Sequence, residues 1–415
     1  MRVGLVTTWA DCGAGHVSLA YAKGLSANGC DVEIYSRGSY LREHRWRASE
    51  SRPWPLQLDR SVAGLTRVNS RQFGRWLQHF KPDWLIFNEQ RSWAPVLQAR
   101  DAGVRCAAYV DYYRADTVEI FQLYDLLVCH TQRHYGVFCH DPRALFIPWG
   151  VDTDHFRPGA RLTRQATDGA QLVFVHSAGM GGPSDRKGTD LALHAFTGVN
   201  GSARLLFHTQ LPREQWPASW RDAIAADPRI QVLEGPIDPV ALYQQGDLYL
   251  YPSRLEGIGL TLPEALATGL AAITTAAPPM SEFVEEGSTG SLVPVQDVRG
   301  RSDGYYWPES WVDPDQLRAC IQRYVDQPRL ARSQGRQARA EMERNRSWMA
   351  LVPRLVRALD ATTSRVLPLH QVRHLQALAR HQDRMLEPTT ADHLQQACRS
   401  LARGLQRRVQ HWGYR

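Results

Sequence analysis

No window of the 415-residue chain approaches the roughly 18 uncharged apolar residues that a membrane-crossing helix requires. The nearest candidate, Gly269 to Ala277 (GLAAITTAA), is short and broken by threonine. No leader is expected either: the strand-like run Arg2 to Thr8 (RVGLVTT) starts directly after Met1, without room for charged, apolar and cleavage segments. Cysteine is sparse. Its seven copies (Cys12, Cys30, Cys106, Cys129, Cys139, Cys320, Cys398) are odd in number, scattered and never in a C-x-x-C pair. That excludes a disulfide framework and predicts reduced thiols in a cytoplasmic protein. Lysine is scarcest of all: of the 49 Lys and Arg residues only Lys23, Lys81 and Lys187 are lysine.

The net charge of +7 is unevenly spread. Between Ala361 and Arg415 nine arginines meet only Asp383, Glu387 and Asp392, so the tail holds nearly all of the excess. A nucleic-acid binder would spread such a footprint over a face of the fold, so nucleic acid is not an expected partner. With 43% hydrophobic residues over this length, two domains are expected rather than one core.

Strand and helix signals alternate. Arg2 to Thr8 precedes the glycine punctuation Gly13-Ala14-Gly15, a helical spacing over His16 to Ala27, and the strand Asp31 to Ser36. Asp83 to Asn88, Arg105 to Val110 and Asp125 to Cys129 are further short apolar runs of the kind a parallel sheet buries on both faces. Phe146 to Gly159 (FIPWGVDTDHFRPG) breaks the pattern, and with Ala160 to Ala170 it reads as a linker. A second series follows: Gln171 to His176, a helix over Asp190 to Phe196, Ala203 to Thr209, Ile230 to Leu233, Leu248 to Tyr251, Ala271 to Thr275 and Ser291 to Val295. The expected class is α/β, two Rossmann-like doubly wound domains (1–158 and 168–345) facing a cleft, with a helical segment over 346–415. Ligands of such sheets sit beyond the carboxyl ends of the strands.

The stretch Ser253 to Gly269 (SRLEGIGLTLPEALATG) sets Glu256 and Glu264 around a glycine-rich apolar run. Thr261 to Glu264 fits a capping box, with proline in the first turn and Gly269 beyond the last, which is one reading of Glu264. Glu256 has no such local role. It lies in the loop after the strand Leu248 to Tyr251, where the Gly257-Ile258-Gly259 amides can turn toward an anion. Amides for phosphate between two carboxylates for hydroxyls suit a nucleotide sugar.

Together with Ala271 to Thr275, Met280 to Val284 (MSEFV) and Gly287 to Val293 (GSTGSLV), this block resembles the E-x7-E region of glycosyltransferase family 4, retaining enzymes of the GT-B fold. The first loop and helix (GAGHVSLAYAKGLSANGCDVEIYS), Trp149 to Pro158 (WGVDTDHFRP), Arg186 to Asp190 (RKGTD) and the turn at Glu234-Gly235 match in order, so the likeness runs from Met1 to Val295. The resemblance implies a glycosyltransferase that moves a sugar from a nucleotide diphosphate donor to a hydroxyl-bearing acceptor without a metal or cofactor. By the same likeness Glu256 would bind donor-sugar hydroxyls, Glu264 the ribose, and Lys187, with Arg186, the diphosphate. Gly257, Ile258 and Gly259, with the amides of Leu260 and Thr261, would line the donor, Pro236 and Ile237 would face the base, and Gly13 and Gly15 would let the first loop come close. Lys187 alternatively reads as a solvated helix start, and the glycines as a tight turn.

Two departures stand out. The Gly-Arg usual after the strand Gln171 to His176 is replaced by HSAGMGGPSD, leaving Arg186 or the amides of Gly179 to Gly182 to supply the second phosphate contact. Asp111 (YVDYY) stands where the family commonly has histidine; with His16 it is an acceptor-side candidate. Asp152-Thr153-Asp154 lies in the interdomain connection, the wrong setting for a metal motif, and the Cys129, His130, His134, Cys139, His140 group lacks a second spaced pair for zinc. The tail from Ala391 to Trp412 reads as a basic amphipathic helix suited either to packing across the first domain or to peripheral contact with an anionic membrane. Two other functions share such a donor site: a nucleotide-sugar hydrolase or epimerase, and a non-catalytic sensor or scaffold.

Overall fold

A computed structural model of the chain describes residues 1–37, 53–59, 66–160, 171–180 and 185–386. The proposed linker over 161–170, the glycines 181 and 182, and the basic tail helix over 391–412 lie outside the described residues. The apolar runs of the first half become β1 (Arg2–Thr7), β2 (Asp31–Ser36), β3 (Leu56–Leu58), β4 (Trp84–Phe87), β5 (Arg105–Tyr109), β6 (Leu126–Cys129) and β7 (Ala144–Phe146). They pair in parallel in the order β3-β2-β1-β4-β5-β6-β7. Continuous apolar sequence is what such a sheet needs, because helices cover both faces and every β4 residue is buried.

The second half builds β8 (Leu172–Gly179), β9 (Ala203–Thr209), β10 (Ile230–Glu234), β11 (Leu248–Tyr251), β12 (Ala271–Thr275) and β13 (Gly290–Val293), again all parallel, in the order β10-β9-β8-β11-β12-β13. Strand order reverses beside β1 and β8, which opens a crevice at the carboxyl end of each sheet.

Three features were not expected. The short β3 and β7 carry too few residues for a periodic signal, and β7 runs directly into the segment read as linker. Beyond β13 the chain makes an antiparallel pair, β14 (Val295–Arg299) and β15 (Glu309–Val312), whose charged, largely exposed first strand has no apolar pattern to reveal it.

The connection between the sheets is pinned. Val151 bridges Ser347, its N–H donating to Arg346 O at 2.7 Å and its carbonyl accepting from Trp348 N at 3.0 Å. Gly150 is required there, since a Cβ would lie 2.8 Å from Trp348 Cα. The helix Trp348–Ala361 then packs on the first-sheet helix Gly13–Ala27, and Trp84 Nε1 donates to Leu359 O at 3.0 Å. The next helix, Leu369–Met385, reaches the helix Ala94–Asp101, where Asp383 accepts from Trp93 N and Ala94 N at 2.8 Å each. Among the described residues no helix is long and apolar enough to cross a membrane.

Candidate active site

The segment Asp185 to Gly188 is locked before any side chain reaches the cleft. Asp185 accepts from Thr189 N and Asp190 N, capping the helix Thr189–Thr197, and from Trp220 Nε1. Gly188 sits at φ +65°, and a Cβ there would lie 2.1 Å from Pro252 O, so the chain passes directly over the end of β11. Arg186 O accepts from Arg254 N at 2.8 Å and Ser253 Oγ at 3.0 Å.

These constraints aim two cations at one carboxylate. Lys187 Nζ donates to Glu256 Oε1 at 2.7 Å and to Tyr251 OH at 2.8 Å, while Arg186 Nη1 donates to Glu256 Oε2 at 3.1 Å. Ser253 Oγ adds a 2.7 Å bond to Glu256 Oε1. Burial by itself would raise the Glu256 pKa, but the two cations and these hydrogen bonds outweigh it and hold the carboxyl at about 2. The Lys187 pKa is lowered as well, but by burial, which outweighs the pull of Glu256.

Glu264 is placed differently from the capping-box expectation. Gly259, at φ +81°, brings the chain into helical geometry at Leu260, so Thr261 is already the first residue of the helix Thr261–Ala267 and cannot act as an extended cap. No side chain caps this helix, and Thr261 Oγ1 is buried without a hydrogen-bond partner. Glu264 is therefore free of the capping role. It accepts from Tyr243 OH at 3.3 Å, and burial pushes its pKa to about 7 against the charges of His16 and Lys187. The two acids are thereby driven apart in protonation. Gly269 does terminate the helix as expected, at φ +84°.

His16 reaches this site from the other sheet, on the helix Gly13–Ala27, with Nε2 2.9 Å from Asp11 Oδ1. The two first-loop glycines differ. A Cβ on Gly13 meets nothing within 4 Å, whereas on Gly15 it would lie 1.8 Å from Ala10 O. Gly15 is therefore fixed by the tight strand-to-helix turn, and Gly13 alone leaves room in the cleft. Pro236 is exposed and Ile237 half-buried after the Gly235 turn at the end of β10, where His208 Nε2 lies 2.9 Å from Gly235 O.

Asp111 is only 5% exposed at the end of β5, and burial together with the Glu89 charge holds its carboxyl well above the usual range. Sequence reasoning missed its surroundings: Glu89 and Arg91 after β4, Arg37 after β2, and Tyr305 to Trp307 between β14 and β15. A strand-end rule applied to Phe87-Asn88-Glu89-Gln90-Arg91 would have found the first two. Nothing local marks Trp307. Its indole lies 3.5 Å from where a Gly257 Cβ would be, 4.9 Å centroid to centroid from His134 and 5.5 Å from Tyr112, while Tyr306 N donates to Tyr113 O at 3.2 Å. The hairpin thus bridges the Glu256 loop to the first domain.

The other chemical patterns resolve into structure. His130 bonds Ile147 O and Tyr21 OH through its two ring nitrogens, and His134 Nδ1 meets Tyr113 OH at 2.9 Å. Asp152 pairs with Lys23 at 3.4 Å and accepts from His155 N. Among the described residues no group of three or more His, Cys, Asp or Glu is placed to hold a metal ion.

Two parallel Rossmann-like sheets with such a site between their carboxyl ends give this chain the GT-B fold. More specifically, residues 171–303 match the family described as glycosyl transferases group 1. The chain is 30% identical over 155 residues to D-inositol 3-phosphate glycosyltransferase of Mycolicibacterium paratuberculosis, covering 36% of this chain and 35% of that one. It is 29% identical over 240 residues to lipopolysaccharide core biosynthesis mannosyltransferase LpcC of Rhizobium leguminosarum, covering 52% and 59%. The match thus spans about a third of the first relative and under two thirds of the second. Anabaena HepE, determined in complex with UDP and glucose, superposes with a TM-score of 0.65 at 14% identity over 87% of this chain and 100% of that one.

Proposed function

We propose that the chain is a retaining, metal-independent glycosyltransferase that moves a sugar from a nucleotide diphosphate sugar to an acceptor hydroxyl. The observation that carries this reading is the convergence of Lys187 and Arg186 on Glu256 at the carboxyl end of β11. Residues 1–158 would hold the acceptor, 168–345 the donor, with 346–415 returning to the first domain.

In this reading the donor diphosphate enters beside Lys187 and Arg186, whose charges are fixed before the reaction and stabilise the leaving group as charge develops on it. Arg186 takes the place of the missing Gly-Arg arginine, and the amides of Leu260 and Thr261 add donors. Glu256, ionised by its partners, accepts hydrogen bonds from donor-sugar hydroxyls, and Glu264 accepts from the ribose, with the base against Pro236 and Ile237. The sugar–phosphate bond breaks, the acceptor oxygen bonds the anomeric carbon on the same face, and a phosphate oxygen takes the acceptor's proton. Neither glutamate serves as the acid or nucleophile of a glycosidase. The glycosyltransferase relatives and the UDP of the HepE complex support a nucleotide-sugar donor. Six free cysteines among the described residues support a reducing, cytoplasmic setting, with the basic tail as a peripheral membrane contact.

The decisive experiment is nucleotide release from UDP-, GDP-, ADP- and TDP-sugars with EDTA present, with a mixed acceptor pool added or withheld. Acceptor-stimulated release from one donor supports transfer. Release without acceptor dependence identifies a hydrolase, conversion of the donor sugar without release an epimerase, and binding with neither a sensor.

A further inference from the structure

Glu89 and Asp111 follow adjacent strands: β4 and β5 pair with Phe87 opposite Ala108, so the two acids emerge side by side at the carboxyl edge of the first sheet. Among the described residues no donor hydrogen-bonds either carboxyl, although Asp111 is only 5% exposed. Flanking the half-buried Glu89, Asn88 Oδ1 and Gln90 Oε1 are buried acceptors without a donor. A buried acceptor left unmet costs the folded chain stability, so these two amide oxygens, beside two carboxyls that no donor meets, mark a place where a ligand brings the donors. Glu89 and Tyr112 both hold positive φ, +51° and +28°, a strain that non-glycine residues keep chiefly at functional sites.

The surrounding charges narrow the ligand. Glu89 interacts with Arg37 and Arg91 of its own domain and with Arg186 across the cleft, and Asp111 with Arg37 and Arg91. Carboxyls disfavour an anion and guanidiniums disfavour a cation, so the ligand is neutral and rich in hydroxyls. One wall is aromatic: Tyr112 lies 5.2 Å from Tyr305 at 73° and 5.5 Å from Trp307 at 36°, with Arg91 5.1 Å over the Tyr112 ring. An aromatic wall with a few convergent polar groups fits a flat-sided ring.

Resting on the donor reading above, we propose that Glu89 and Asp111 form the acceptor subsite and bind adjacent hydroxyls of a neutral ring polyol, a sugar or a cyclitol. The second-domain hairpin at Tyr305 to Trp307 closes one side of it. The acceptor oxygen then lies between this carboxyl pair and the Lys187–Arg186–Glu256 group.

The test uses the full chain and four probes, the methyl α-glycosides of glucose, mannose and galactose and myo-inositol, titrated by saturation-transfer NMR with and without nucleoside diphosphate. At least one probe is expected to bind, and Glu89→Gln and Asp111→Asn to weaken it about tenfold to a hundredfold, the range for loss of a hydrogen bond to a charged group. Both variants should keep the nucleotide Kd within about twofold, because neither carboxyl belongs to the Lys187–Arg186–Glu256 group. Probe binding unchanged in both variants, or sugar transfer to 1-octanol with none to any ring probe, overturns the proposal. A native chain that binds no nucleotide sugar sinks the donor reading instead, and the probe titration without nucleotide still decides the subsite.

Discussion

Lys187 Nζ stands 2.7 Å from Glu256 Oε1, joining the segment before the helix Thr189–Thr197 to the loop after β11. Their side chains are 12% and 5% exposed, so each is the other's principal solvent. The pair keeps the carboxylate ionised and the ammonium positioned before any ligand arrives.

Lys187→Ala is therefore expected to lower kcat/KM for the donor about a hundredfold to a thousandfold, as loss of one preorganised charge-stabilising group does. Lys187→Arg should rescue little, because the planar guanidinium cannot reproduce a compact charge bonded to both Tyr251 OH and Glu256. Steady-state kinetics on the three proteins checks both statements; equal rates for native and Lys187→Ala would remove Lys187 from the mechanism.

The two glutamates predict opposite contributions to stability with pH. Glu264, raised from 4.5 to about 7, binds its proton more tightly in the folded chain, so its contribution is complete below 4.5 and lost as pH rises to about 7. Glu256, lowered from 4.5 to about 2, contributes above 4.5 and loses that as pH falls toward 2. Denaturant midpoints taken from pH 4 to pH 8 should decline less steeply for Glu264→Gln than for the native chain. Parallel curves would mean that Glu264 titrates normally.

The first-loop glycines should separate folding from binding. Gly15→Ala collides with Ala10 O and is expected to cost about 1–3 kcal/mol or more, seen as a lower melting temperature. Gly13→Ala meets nothing, gains up to about 1 kcal/mol of helix propensity, and should instead raise the donor KM by narrowing the cleft. Equal melting temperatures for the two variants would contradict this division.

Trp307→Ala should cost about 3–5 kcal/mol, the usual range for emptying a buried tryptophan site. Because the ring spans Gly257 and Tyr112, the loss should also loosen the wall between donor loop and first domain. Thermal melting with acceptor KM on the folded fraction tests this; a drop in stability alone would confine Trp307 to packing.

The two parallel sheets were legible in the order of residues, because continuous apolar runs such as Trp84 to Phe87 and Leu248 to Tyr251 have no other low-energy home than a sheet covered on both faces. Glu256 stood out through its glycine-rich strand-end setting, and Lys187 and Glu264 through the family resemblance; the structure brings Lys187 to 2.7 Å from Glu256. The misjudged part was local: Thr261 to Glu264 spells a capping box, yet the positive φ of Gly259 carries the chain into the helix one residue early and leaves Glu264 to the cleft. The protonation of the two glutamates had to await the folded chain, since a pKa depends on which charges and how much burial surround a carboxyl. The same holds for the meeting of Glu89 with Asp111 and of Trp307 with Gly257, contacts between residues distant in sequence that no local pattern encodes.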